Sequence, residues 1–168
     1  MSPSEEAGGQ YRLSWFEAPR NPLGHWAEHI VAGNVESSHH FVGLADFDRD
    51  GLLDIATATM HQSTGPIGIE VYLNSRLGKD WSKRTIANAG SHNMRIVDVD
   101  GDGDPDLFGA NWSGPDQQVL LWVNKTPHPA KTHPTWRRQV IDGKRPGKAV
   151  FVVPADIDGD GQVDIAAG

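Results

Sequence analysis

Three nine-residue segments share one pattern: DFDRDGLLD at residues 46–54, DVDGDGDPD at 98–106 and DIDGDGQVD at 156–164. Aspartate stands at the first, third, fifth and ninth positions and glycine at the sixth, and each segment lies between short apolar runs. Like charges this close repel one another, so a loop that gathers them calls for a compensating cation. Asp46, Asp48, Asp50 and Asp54 make one all-oxygen donor set, Asp98, Asp100, Asp102 and Asp106 a second, and Asp156, Asp158, Asp160 and Asp164 a third. The backbone carbonyl at position seven (Leu52, Asp104 or Gln162) is expected to complete each set, which leaves that residue's side chain dispensable. Such donors suit a hard cation, and calcium better than magnesium because calcium coordination is permissive. Gly51, Gly103 and Gly161 allow the sharp turn that brings the late ligands round. An EF-hand opens in the same way but needs a bidentate glutamate at position twelve, where this chain has Thr57, Gly109 and Ala167.

The loops are in phase with a longer repeat. Trp26, Trp81 and Trp136 recur at equal spacing in WAEHIV, WSKRTI and WRRQVI, and an apolar strand with an aromatic recurs as LSWFE, VYLN and LLWVN. One repeat then reads strand A (FVGLA, MRIVDV, VFVVPA), aspartate loop, strand B (IATAT, LFGA, IAAG), strand C, and strand D opening with tryptophan. The segments are short, alternating or wholly apolar, bounded by Gly, Pro, Asn and Ser, and no helical period persists. The expected fold is all-β, with four-stranded antiparallel blades of a β-propeller and the loops between strands A and B. Strand B carries Ala56, Ala58, Gly109, Ala110, Ala166 and Ala167, small residues expected where blades crowd toward an axis. The phased tryptophans are expected to pack between blades.

Charge and composition narrow the function. The formal charge of −7 has no basic stripe to offset it, which argues against nucleic acid, and twelve of the 22 acidic residues are the loop aspartates at the four recurring positions. Three divalent ions would bring the chain close to neutral. Without cysteine there is no disulfide, thiolate metal site or cysteine nucleophile. No run approaches the ~18 apolar residues of a membrane span, and MSPSEEAGGQYR lacks the pattern of a secretory signal, so the chain is expected to be cytosolic or to have its true start elsewhere.

D-x-D-x-D-G-x-x-D after a β-strand resembles the FG-GAP/VCBS repeats, the calcium-loop propeller blades of integrin α-subunit heads and many secreted bacterial proteins. The resemblance covers the chain after about Gly8. It implies a calcium ion in each A–B loop on one face, recognition on the opposite face, and an extracellular or periplasmic location. The family spans adhesion, carbohydrate binding and lyases, so it does not select a function. RLSWFEAPRNPLGHW also resembles blades of sugar-processing propellers such as aldos-2-ulose dehydratase.

The repeat register divides the chain into a flexible segment 1–10, a C–D half-blade 11–33, blades 38–87 and 91–142, and an A–B half-blade 148–168. Propellers have at least about four blades, so the expected partners include the remaining blades of a larger propeller or a second copy of the chain. The face away from the loops gathers His40, His61, His92, Asn111, Trp112, Arg145 and Lys148, a set suited to a hydroxyl-rich or anionic ligand. Three readings stand: a module binding an extracellular carbohydrate or protein, a sugar-directed lyase or dehydratase with His40, His61 and His92 as catalytic candidates, and a scaffold in which these are solvated loop residues. The three histidines also fit a zinc or iron site.

Overall fold

The computed structural model describes residues 11–35, 39–63, 65–114, 117–127, 135–143 and 152–167. Segment 1–10 and residues 148–151 lie outside them. Every element is a strand: β1 (Tyr11–Glu17), β2 (Ala27–Val35), β3 (His39–Ala45), β4 (Asp54–Thr59), β5 (Ile69–Asn74), β6 (Trp81–Ala87), β7 (Asn93–Val97), β8 (Asp106–Ala110), β9 (Val119–Asn124), β10 (Trp136–Asp142), β11 (Val152–Ala155) and β12 (Asp164–Ala167). No helix of the described residues is long and apolar enough to cross a membrane.

The strands form four antiparallel sheets. Two have the up-and-down order of a propeller blade, β3-β4-β5-β6 and β7-β8-β9-β10, and two are pairs, β1-β2 and β11-β12. Register is regular along β7 and β8, where Asn93 faces Ala110 and Val97 faces Asp106. The A strands neighbour one another from sheet to sheet, β3 against β7 and β7 against β11. In the two four-stranded blades the B and C strands are covered on both faces, which is why β4, β8 and β9 are buried at every residue and read as continuous apolar runs rather than alternating ones. The outer strand β6 alternates between partly buried and exposed residues.

Three apolar layers fill the spaces between sheets. Leu13 of β1 packs with Ile55 and Tyr72 and is flanked by Val31 and Trp81. Ala56, Ala58, Val71 and Leu73 of one blade meet Met94, Leu107, Leu120 and Trp122 of the next. Phe108, Leu121 and Val123 meet Val152, with Ile165 and Ala167 alongside. Within the blade Gly109 is also held small: a Cβ there would stand 2.4 Å from Ser91 Oγ, beside the paired strand β7.

The tryptophans follow the same rule in two of three repeats. Trp136 packs at 5.7 Å, centroid to centroid, against Phe47, the second residue of the preceding blade's loop. Trp81 packs against the β1-β2 layer, and its Nε1 donates to the Gly78 carbonyl. Trp26 is a correction: it is 43% exposed, with Nε1 donating to the carbonyl of Pro22. No described sheet lies on its far side to pack against. Val153 on β11 and Ile157 in the loop that follows it are likewise 50% and 63% exposed.

Phe47 is wholly buried between two blades, whereas Leu53 in the same loop is 59% exposed. Phe47→Ala is expected to cost about 3–5 kcal/mol in urea unfolding, and Leu53→Ala less than about 0.5. Equal losses would show that loop and blade do not pack as one unit.

Candidate metal loops and the opposite face

Each aspartate loop is wound by its own carboxylates. Asp98 accepts the N–H groups of Gly101 and Gly103, both at 2.8 Å, and Asp156 those of Gly159 (2.8 Å) and Gly161 (3.0 Å). Asp46 does the same for Asp50 (3.1 Å) and Gly51 (2.9 Å). The curl requires positive φ at position six, where Gly51, Gly103 and Gly161 lie at 89°, 86° and 85°. It also requires positive φ at position four, which the sequence reading missed: Gly101 and Gly159 occupy it at 73° and 81°, but Arg49 at 57°. A side chain there is strained.

The ninth aspartate is a clamp. Asp54 accepts the Phe47 N–H on one oxygen and the Asn74 N–H on the other, both at 2.8 Å, and Asp106 does the same with Val99 and Asn124 at 2.8 Å. Asp164 accepts the Ile157 N–H at 2.9 Å. Asn74 and Asn124, at the C-terminal ends of the C strands, are therefore part of the loop architecture. Their signal was the shared final asparagine of VYLN and LLWVN.

Three carboxylate oxygens converge in each loop, all within 4.8 Å of one another: Asp46, Asp48 and Asp50; Asp98, Asp100 and Asp106; Asp156, Asp158 and Asp164. The ninth aspartate joins the second and third sets and the fifth joins the first, while the first and third positions join all of them. The donor chemistry fits a hard divalent cation, since carboxylate oxygen alone converges. Protonation behaviour fits as well. Burial, reinforced by neighbouring aspartates and opposed by the N–H bonds, pushes the Asp54 carboxyl up to about 7 and Asp106 up to about 6, and burial raises Asp48 with Asp50 adding to it. These are carboxylates short of positive charge.

Two side chains supply some of it to the second loop. Lys125 Nζ donates to Asp100 and stands 3.3 Å from Asp102 Oδ2. Arg49 reaches across from the first loop, its Nε 2.6 Å from Asp104 Oδ1 and its Nη2 donating to the Asp102 carbonyl at 2.8 Å. Asp104 is only 1% exposed, so its side chain is not dispensable as the ligand pattern suggested. It ties one loop to the next.

The opposite end gathers most of the remaining candidates. His40 at the start of β3 and His92 just before β7 hold their rings 5.0 Å apart, and the Trp112 edge meets His92 at 6.3 Å. His61 lies 3.3 Å from Ser113 Oγ of the next blade. Asn111 is buried and donates to the Gly90 carbonyl at 2.9 Å. Burial lowers the pKa of His92, whose Nδ1 is buried with no hydrogen bond among the described residues. Arg145 and Lys148 lie outside the described residues. His39 was not singled out by sequence; its pKa is lowered by burial, with Glu70 opposing and Lys83 assisting, away from the His40–His92 pair.

A pH test follows from Asp54 and Asp106. Their folded values lie above the ordinary 3.8, so the stability they give the metal-free fold is complete below about 3.8 and is lost as pH rises through about 6 to 7. A bound cation reverses this, because protons then compete with it. The gap in melting temperature between calcium-loaded and chelated protein is expected to shrink steadily from pH 8 to pH 5, scanned by calorimetry; a gap independent of pH contradicts cation binding by these carboxylates.

No curated protein matches the chain. The FG-GAP-like repeat pattern matches residues 46–109 and 98–167, beginning at the first aspartate of the first and second loops. With matches that run from Asp46 to the end of β12, this chain belongs to the family of FG-GAP-like repeat proteins, whose β-sheet repeats build modules of the propeller type.

Proposed function

We propose that the chain is a calcium-binding FG-GAP propeller module that recognises an extracellular carbohydrate or protein on the face opposite its ion loops. The observation that carries this is the division of labour between the two ends of the sheets. One end presents three sets of converging carboxylates, and the other presents His40, His92, Trp112, Asn111 and the His61–Ser113 pair.

The aspartates at positions one, three, five and nine would hold calcium with the position-seven carbonyls of Leu52, Asp104 and Gln162. Bound calcium supplies positive charge that relieves the repulsion within each loop. The protein's own part is to fix the loop curl through the N–H bonds to Asp46, Asp98 and Asp156 and to anchor each loop to its blade through Asp54 and Asp106. Open loops of this kind bind calcium in about the micromolar to millimolar range, which suits an extracellular or periplasmic location where calcium is plentiful.

At the other end, burial favours the neutral form of His92, so its ring would meet a hydroxyl group with a hydrogen bond rather than with a positive charge. Trp112 adds an aromatic surface of the kind that packs against sugar rings. A second reading rests on the same neutrality: a partly buried, neutral His92 beside His40 is also a base, as a sugar lyase or dehydratase would require. His92→Ala and Trp112→Ala are expected to abolish binding on a glycan array while leaving the melting temperature within about 2 °C. Wild-type turnover of a bound glycan that disappears in His92→Ala supports the enzyme; neither binding nor turnover leaves a structural scaffold.

Trp26, Val153 and Ile157, exposed at the two half-sheets, support the packing of further blades there, from the rest of a larger propeller or from a second copy. Light scattering on the isolated chain is expected to give a multiple of the 18.3 kDa monomer mass. A monodisperse monomer contradicts pairing between copies.

A further inference from the structure

We propose that Lys125 is a built-in counter-ion of the second loop, making it a weaker divalent-cation site than the first, and that its ammonium leaves the loop when an ion binds. This rests on the reading of the loops as calcium sites and concerns which of them fills last.

The ammonium sits on the donors themselves. Lys125 Nζ donates to Asp100, one of the three converging carboxylates of its loop, and stands 3.3 Å from Asp102, the position-five carboxylate. In the first loop the position-five Asp50 belongs to the converging set, whereas in the second Asp102 does not. The residue after the clamping asparagine is Lys125 in one blade and Ser75 in the other, and Ser75 Oγ donates to the Asp80 carbonyl at 3.3 Å rather than to the loop. Lys125 is also held at its root. Its N–H donates to the Thr135 carbonyl at 2.5 Å, its own carbonyl accepts the Thr135 hydroxyl, and the preceding Asn124 is fixed by Asp106 and by the Phe47 carbonyl. The backbone cannot carry the charge away, so only the flexible four-carbon stem can.

The two loops thus differ in charge on one backbone. Arg49 belongs to the first loop but spends its charge on Asp104 of the second. Among the described residues the second loop receives two cationic side chains, and no ion pair joins a cationic side chain to a first-loop carboxylate. A calcium ion entering the second loop must displace an ammonium that the first loop does not have.

Calcium titration calorimetry on the whole 168-residue chain tests this with wild type, Lys125→Ser, Asp98→Ala and the double variant. Lys125→Ser is expected to tighten one class of site about tenfold and leave the others unchanged. Asp98→Ala is expected to remove that class, after which Lys125→Ser changes nothing. In chelator, Lys125→Ser is expected to melt below wild type, with the order equal or reversed in saturating calcium. If calcium binds but Lys125→Ser alters no class, or tightens one that survives Asp98→Ala, the counter-ion role is overturned and the calcium reading stands. A wild type that binds no divalent ion overturns both.

Discussion

The carboxylate at the ninth loop position holds the rest together. An aspartate with both oxygens engaged joins three things that the chain brings in from different directions: the loop's second residue, the start of strand B on which the aspartate itself sits, and the end of strand C. Asp106 does this with Val99 and Asn124. Asn124 then extends the linkage to the neighbouring blade by donating from its side chain to the Phe47 carbonyl at 2.9 Å. Because Phe47 is itself buried against the blade that carries Asn124, the loops and the two sheets are fixed by one set of buried contacts. Ionised, the clamp is a strong acceptor; buried, it resists ionising. On the proposed reading a divalent cation would resolve that conflict and tie the stability of the blades to the occupancy of the loops.

Sequence alone revealed the repeat because the repeat is made of local chemistry. The loop's curl and sixth-position glycine are set by bonds within nine residues, and strand character by burial in the complete blades. Contacts between blades were not legible in the same way. Arg49 and Asp104 are 55 positions apart, and nothing in either segment marks them as partners; only the replacement of glycine by arginine at a positive-φ position hinted that the side chain had a task. Position seven looked free because the ligand pattern uses its carbonyl, yet burial gave the Asp104 carboxylate a separate role. Trp26 misled in the opposite direction. Its repeat position matches Trp81 and Trp136, but a packing residue buries itself only where a neighbouring sheet is present.

At the far end the sequence placed His40, His61, His92, Asn111 and Trp112 on one side of the sheets, and strand direction brings them together there. Spacing could not say which rings touch. His40 and His92 are equivalent in register, and adjacent A strands bring equivalent residues side by side, so their contact follows from propeller geometry. His39, one residue earlier, lies at a register shift of β3 against β4 and has Glu70 and Lys83 as its charged neighbours. The local irregularity thus accompanies a histidine beside Glu70 and Lys83 and, next to it, one beside His92.

Repetition of a backbone does not make equivalent sites. All three loops carry aspartate at the same sequence positions and a similar curl, but what surrounds them is set by residues outside the repeat pattern. One has its arginine committed to a neighbour, the next has a lysine laid across two of its donors, and in the third the Gln162 amide bonds Asp160 at 2.9 Å without adding charge. Electrostatic free energy depends on those nearby charges more than on the shared geometry, because a carboxylate cage of fixed shape binds a cation according to how much of its negative charge is already compensated. If the loops hold calcium as proposed, a chain of this design would keep one fold while its loops fill over a range of calcium concentration, each with the affinity that its own flanking side chains allow.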